Sequence, residues 1–558
     1  MEDQKKSQTE NSAGECKDSK PDAAVSPAVP AAVPAAGAYP PGSHNNVNPY
    51  YKPYIPRNKT QEYQSLKSKV ISQKGFIITV LSILLATLFT ETIFLGTAGI
   101  SVPIFAIVFY SSLFYYFHEN EKPINRTGIF LTIPVFLLAF SFFLHYNPST
   151  QFITWLTLIG LVCIQLVMLG TNPAESLFSY DMLTRVMSKI IGHSFLNLGM
   201  PFFSLEFLKK RKTRHSGNAI LILIGLAISL PVVIILMGLF MSADAVFENA
   251  VNSFIGFIGL DFGNIFADLF LGFFGGLFLA AALLSLKYEE QEKKAAEKIG
   301  NSIDGLVIGT FLTIINILLI AFVGFQFAYL FGGTVNIAVS DMTYAEYARR
   351  GFFELTAASG IIFSISLFVM IMTKKKEDKL PSWVKLCTVS LCLCNGVLLV
   401  SAIKRMLLYV DVYGLSVKRM LTLWLMCLIG LCLVWMIIKC FMPKMDVMKL
   451  IGITVVTGVC ILSLTNTERL IARYNIDRYI SDPTKITLDV YHLGRLSFTA
   501  APEIARLKDM DSDGSQFVKS DIIEILQKQK ASCKIRNTLY GFTLDSIEVQ
   551  KVFSGMAK

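Results

Sequence analysis

Met420–Phe441 reads MLTLWLMCLIGLCLVWMIIKCF, with Lys439 as its only charge. A membrane span needs about 20 consecutive, mostly apolar residues to cover the roughly 30 Å hydrocarbon layer as a helix. This stretch meets that requirement. The same rule applied outward predicts spans at 76–95, 100–117, 128–144, 152–169, 219–241, 262–286, 306–331, 353–372, 385–403, 420–441 and 448–465. The expectation is therefore an all-α membrane protein, a polytopic bundle of about eleven transmembrane helices. Residues 173–208, which include FLNLGMPFFSLEFL, are amphipathic. They read as an interfacial or re-entrant piece, with a twelfth span as the alternative.

Composition agrees. Of 558 residues, 53% are hydrophobic and 16% charged, against about 25% charged in soluble proteins. One soluble core cannot hide that excess, so the bilayer must solvate most of it. The formal charge of +10 does not indicate nucleic acid, because Lys and Arg fall in short clusters between apolar runs. Eight of the ten Cys lie in or beside those runs, where they read as small buried hydrophobes. No Cys or His spacing suggests a disulfide framework or a metal site.

Three regions follow. Residues 1–70 are expected to be a cytoplasmic tail, rich in Pro and Ala and disordered over its first 60 or so residues, since VSPAVPAAVPAAGAYPPG offers too little apolar area to repay chain ordering. Residues 71–465 form the transmembrane domain, and 466–558 a small extracytoplasmic segment. The first apolar run starts only at Phe76, which argues against a signal peptide. With the N-terminus inside, the inner loops hold 21 Lys and Arg and the short outer loops 6. Positive charge marks cytoplasmic loops, so the expected location is the plasma membrane, N-terminus cytoplasmic and C-terminus extracytoplasmic.

Several stretches are distinctive: SADAVF (Ser242–Phe247), FQFAYLFGG (Phe325–Gly333), TYAEYARRGFFEL (Thr343–Leu355), KRMLLYVDVYGLSVKR (Lys404–Arg419) and IARYNIDRY (Ile471–Tyr479). Together they resemble a bacterial membrane family, a domain of unknown function in the group numbered 4153/4173, over roughly residues 76–510. Ala245 stands where that family commonly has Pro, and Ser416 where it has Thr. The resemblance implies topology and no catalytic residues.

Charged groups at membrane depth cost at least about 2.5 kcal/mol on insertion scales, so each asks for a reason. Glu91 in the first span and Asp268 in the sixth either bind a cation or proton, or snorkel and pair with a neighbour. Asp244 follows the fifth span and is a third acidic candidate. Asn316 and Asn395 read as amide bridges between helices, and Gly272-x-x-x-Gly276 as close helix packing. In AEYARRGFFEL, helical spacing puts Glu346, Arg350 and Glu354 on one face with Arg349 beside it. Arg349, Arg350, Lys404, Arg405, Lys418 and Arg419 are the six outer-loop cations that oppose the orienting bias. They would make, with Tyr413, a pocket for a phosphate- or carboxylate-bearing headgroup, or else snorkel and form ordinary ion pairs. Asp509, Asp511 and Asp513 begin like a calcium loop, but Ser520 stands where a bidentate Glu belongs.

The sequence carries no phosphate-binding Gly-x-x-x-x-Gly-Lys loop, no His-Glu-x-x-His and no Gly-x-Ser-x-Gly. No cofactor is implied. Three functions stay open: transport or handling of an anionic envelope lipid or small anion through an outer-face polar site, an integral membrane enzyme acting on an envelope lipid, and a signalling or assembly component. Membrane lipids are the expected partners. Protein partners at the N-terminal tail or the C-terminal segment would favour the third reading.

Overall fold

The computed structural model describes residues 59–94, 96–118, 125–171, 176–207, 262–288, 303–331, 352–373, 380–482, 486–508, 515–536 and 538–555, with 249, 251 and 253. Among these the chain is helical, with one isolated bridge between Ile303 and Thr373. Nine of the described helices are long and apolar enough to cross a membrane, and Ser101–Phe117 is a shorter apolar one. They coincide with ten of the eleven expected spans. The span expected at 219–241 lies outside the described residues. Leu84, Ile314 and Leu318 are at least 62% exposed on these helices. Such faces are what a bilayer covers, and the chain is a polytopic α-helical membrane protein.

The helices are α1 (Lys59–Val70), α2 (Gln73–Phe89, prolonged by a π turn to Phe94), α3 (Ser101–His118), α4 (Arg126–Phe130), α5 (Thr132–Leu144) and α6 (Pro148–Thr171). Short α7 (Tyr180–Val186), α8 (His193–Leu196) and α9 (Met200–Ser204) precede α10 (Phe262–Tyr288), α11 (Gly305–Phe331) and α12 (Phe352–Met372). Then come α13 (Ser382–Tyr413), α14 (Val417–Phe441) and α15 (Val447–Leu464). α1 falls inside the stretch read as a tail. Its Leu66 and Val70 are buried in the first half of the bundle and its Lys67 lies 4.0 Å from Glu206, so the tail reading does not hold for Lys59–Val70.

Small residues set the closest approach. α2 and α10 run antiparallel, and a Cβ on Gly276 would stand 2.4 Å from the Ile83 Cα, one on Gly272 2.6 Å from the Thr87 Cα. The Gly-x-x-x-Gly spacing works as packing. The two amides bridge helices as read. Asn316 Nδ2 donates to the Cys387 carbonyl at 3.0 Å, and Asn395 Nδ2 to the Ser359 carbonyl at 3.1 Å.

Residues 180–207 do not run as a span. A π turn at Met187–Gly192 and a break after Leu196 interrupt the helix. Phe178 abuts Gly452 near the start of α15, Phe195 packs on Phe278 within α10, and Ser204 bonds Thr79 at 2.9 Å near the start of α2. The segment therefore enters and leaves at the same end, which favours the re-entrant reading over a twelfth span. That end also holds Lys67, Lys287 and Lys439.

The opposite end is covered by 466–558. Here α16 (Thr467–Ser481), α17 (Val490–Gly494), α18 (Ala501–Ala505), α19 (Ser515–Arg536) and α20 (Leu544–Gly555) build a helical cap. The Ile100 amide donates to the Phe542 carbonyl at 2.9 Å, Asn147 Nδ2 to the Thr465 carbonyl at 2.8 Å, and Leu415 N to Asn475 Oδ1 at 2.7 Å. Thr467 of the cap also donates to Asn147, so among the described residues three interhelical connections at this end are tied to one cap.

α13 corrects one boundary. It was expected to stop at residue 403, with Lys404 and Arg405 in a loop, but it continues to Tyr413 for 32 residues. At about 1.5 Å per residue that is about 48 Å, well beyond the roughly 30 Å core. Lys404 and Arg405 therefore lie within the helix, which runs on for eight residues beyond them. It stops only at Gly414, whose φ of +75° few L side chains adopt. A Cβ there would also meet Asn475 Oδ1 at 2.5 Å.

Candidate functional site

Below the cap, the first half of the bundle holds a half-open cavity of about 260 Å³ lined wholly by apolar surface. Three small side chains create it: Ala106 on α3, Ala139 on α5 and Ala282 on α10. Around them stand Phe89, Phe105, Trp155 and Phe278, with Ile190 of the re-entrant segment. Phe89 lies 5.3 Å from Phe105 and 6.2 Å from Trp155, ring to ring, so the wall is aromatic and continuous. Protein interiors rarely leave voids larger than a water, and this one approaches the size of small-ligand pockets.

The Tyr110 hydroxyl at its edge is satisfied. Tyr110 Oη donates to Gln165 Oε1 at 2.5 Å, and Gln165 Nε2 donates at 2.7 Å to the Gly128 carbonyl and to Thr132 Oγ1. Gln165 is fully buried and links three helices. The cavity therefore offers a ligand shape and hydrocarbon, with no hydrogen bond to make. Its chemistry is that of an acyl or isoprenoid chain.

Above it lies a small polar cavity of about 20 Å³, between His145, Asn147, Thr150, Thr154 and Ser463. That is room for a single water. The surrounding groups form a latch between cap and bundle. His145 Nδ1 lies 3.0 Å from Asp545 Oδ2, which accepts from Asn466 Nδ2 at 2.8 Å. Thr467 donates to Asn147 and Ser149 to Glu468, whose other oxygen accepts from the Ser497 amide at 2.6 Å. Glu468 is buried, and these donors at the start of α16 compensate its lost hydration.

Further out, Arg469 grips Glu548 through both terminal nitrogens at 2.6 and 2.8 Å and reaches Glu503 at 3.1 Å. The bidentate fork is the strong form of this pairing. Hydrogen bonding to Arg469 holds the Glu548 carboxyl below the ordinary Glu value. Burial lowers the His492 pKa, and its Nε2 has no hydrogen-bond partner among the described residues.

The site residues expected from sequence fare unevenly. Glu346, Arg349, Arg350, Asp244, Asp509, Asp511 and Asp513 lie outside the described residues, as does the Asp268 side chain. Glu91 is exposed on the π turn ending α2, and Glu354 is exposed in the first turn of α12. Lys404 and Arg405 are on α13. Arg419 is occupied: it donates to the Gly414 carbonyl and, at 3.0 Å, to the Tyr413 carbonyl, with its guanidinium 4.3 Å above the Tyr409 ring. It caps the end of α13. Tyr413 stacks edge-on with Tyr409 at 4.9 Å. The described residues bring Arg419, Tyr409 and Tyr413 together, and they hold the helix end with them.

Sequence reasoning missed Gln165, His145, Asp545, Glu468 and Arg469. Gln165 had a signal, as a lone amide in the middle of an apolar span. The latch residues had none, since His145 and Asp545 are 400 positions apart.

No curated protein and no solved structure matches the chain. The family described as a domain of unknown function (DUF4153) matches residues 132–507, from α5 through the first part of the cap. Most of the bundle and the start of the cap thus fall inside one family unit, and the chain belongs to the DUF4153 family.

Proposed function

We propose that this is a non-enzymatic lipid-handling protein of the plasma membrane, whose bundle interior receives the hydrocarbon chain of an envelope lipid beneath an extracytoplasmic cap. The observation that carries this reading is the apolar cavity of about 260 Å³. Left unfilled, its apolar wall would lack the contacts that a hydrocarbon chain supplies. A chain from the surrounding bilayer is the apolar material at hand. An anionic headgroup fits the cations at the capped end, where Lys404 and Arg405 mark the bilayer boundary and Arg536 lies 3.9 Å over the Tyr146 ring. The orientation, N-terminus cytoplasmic and cap outside, rests on the Lys and Arg bias of the loops.

Native mass spectrometry of the purified protein tests the reading. The wild type should retain a lipid through detergent exchange, and Ala106→Leu/Ala139→Leu should lose it. Equal retention by both proteins would remove the cavity as its site.

A further inference from the structure

A second apolar space opens at the capped end, outside the interior cavity. It is a groove of about 570 Å³ between α2, α3 and the turn 538–542 of the cap. Its floor is Leu88, Ile104 and Phe105, and its far wall Leu539 and Phe542. Leu88 and Ile104 are 38% and 52% exposed on spanning helices, on faces that lipid chains cover. The groove is thus continuous with the lipid-facing surface, and Ile104 sits only about 5 Å along α3 from its first residue.

The turn is fixed there by hydrogen bonds. Besides the Ile100–Phe542 bond, the Ser101 amide donates to the Tyr540 carbonyl at 3.3 Å, and Thr97 bonds Thr538 at 2.8 Å. Yet Leu539 is left 82% exposed and Ile535, just before it, 75%. Facing water, the turn and the helix end before it gain nothing from these two bare aliphatic side chains, and lying among lipid chains they do. One polar atom points to the ligand independently. Ser101 lines the groove and is 7% exposed; its hydroxyl is buried and has no hydrogen-bond partner among the described residues. A buried hydroxyl without a partner is costly, and a lipid ester carbonyl at this level would supply one.

We propose that this groove is a binding site for one acyl chain of an ester-linked phospholipid in the leaflet at the capped end, with Ser101 donating to the ester carbonyl and Leu539 anchoring the turn in the same leaflet. The site stands apart from the interior cavity, from which Phe105 separates it.

The test uses the full-length protein in nanodiscs containing phosphatidylcholine with a photoactivatable diazirine on one chain, adducts being mapped by peptide mass spectrometry. Adducts should concentrate on Leu539 and Tyr540, and Ile104→Trp, which fills the groove, should deplete them severalfold. Ser101→Ala should lower the yield about fivefold, the worth of one neutral hydrogen bond. An ether-linked analogue should lower it equally in the wild type and no further in Ser101→Ala. Labelling of the spans with none at 538–542 would overturn the proposal. So would adducts indifferent to Ile104→Trp, or Ser101→Ala losing ester and ether lipids alike. Cross-links from the turn to a second copy of the chain would replace lipid by protein as the occupant and also overturn it. Filling the interior cavity at Ala106 and Ala139 should leave the groove labelling unchanged.

Discussion

Ala106→Leu/Ala139→Leu places two larger side chains in the interior cavity, from neighbouring helices. Together they add about 150 Å³, which at roughly 24 cal/mol per Å³ of filled void is worth about 3.6 kcal/mol if the space is empty. If a lipid chain already fills it, that gain is absent, because the substitution only exchanges one hydrocarbon for another and loses the bound ligand's linkage. The two cases separate in thermal unfolding followed by intrinsic fluorescence in detergent. After exhaustive delipidation the double variant should unfold several degrees above wild type. With bilayer lipid added back, wild type should recover most of that difference and the variant should barely respond. An equal gain in both conditions would mean that lipid never enters, and the reasoning from cavity to hydrocarbon ligand would be refuted. A loss in both would mean that the aromatic wall cannot admit a leucine.

Arg419→Gln should destabilise the α13–α14 connection by about 1.5–3 kcal/mol, the range for charge-assisted hydrogen bonds, and should expose the Tyr413–Ser416 segment to protease. Unchanged stability would return Arg419 to the list of ligand-binding residues. The Glu548 carboxyl is held below its ordinary value by Arg469, so its contribution is present above about pH 4.3 and is lost as the pH falls through the folded value. Limited proteolysis should therefore release α20 more readily below about pH 4, and Arg469→Gln should abolish that acid step; release independent of pH in the wild type would exclude the pair as a latch. A cysteine at Lys528 should react with an impermeant reagent in intact cells and one at Lys444 only after lysis, and the reverse pattern would invert the assigned orientation.

The spans were legible because burial in a bilayer is a property of local composition. Twenty apolar residues mean the same thing whatever they pack against. Gly272, Gly276, Asn316 and Asn395 were legible for a related reason, since a glycine pair or a lone amide in an apolar helix has few roles other than contact. The cavity was not legible. It is a shortage of atoms among three alanines on three helices, and each alanine is unremarked in its own span. The latch was invisible too, because its pairs join residues hundreds of positions apart.

The end of α13 shows why the cations expected in outer loops could not be resolved from sequence. Lys404 and Arg405 announce where the chain leaves hydrocarbon, and it was natural to end the helix with the membrane. A helix ends for a different reason: its last carbonyls need partners and its backbone needs a residue that can turn. Gly414 meets the second need and Arg419 the first, by donating to the carbonyls of Tyr413 and Gly414. Once the helix is known to reach Tyr413, the charge at Arg419 that opposed the loop bias has a structural cause in this chain. Had the helix stopped at residue 403, the same arginine would have faced no helix-end carbonyls, and an external anion would have been its best explanation. The assignment of the charge thus turned on the position of a helix end ten residues from where the apolar run stops, which composition does not encode.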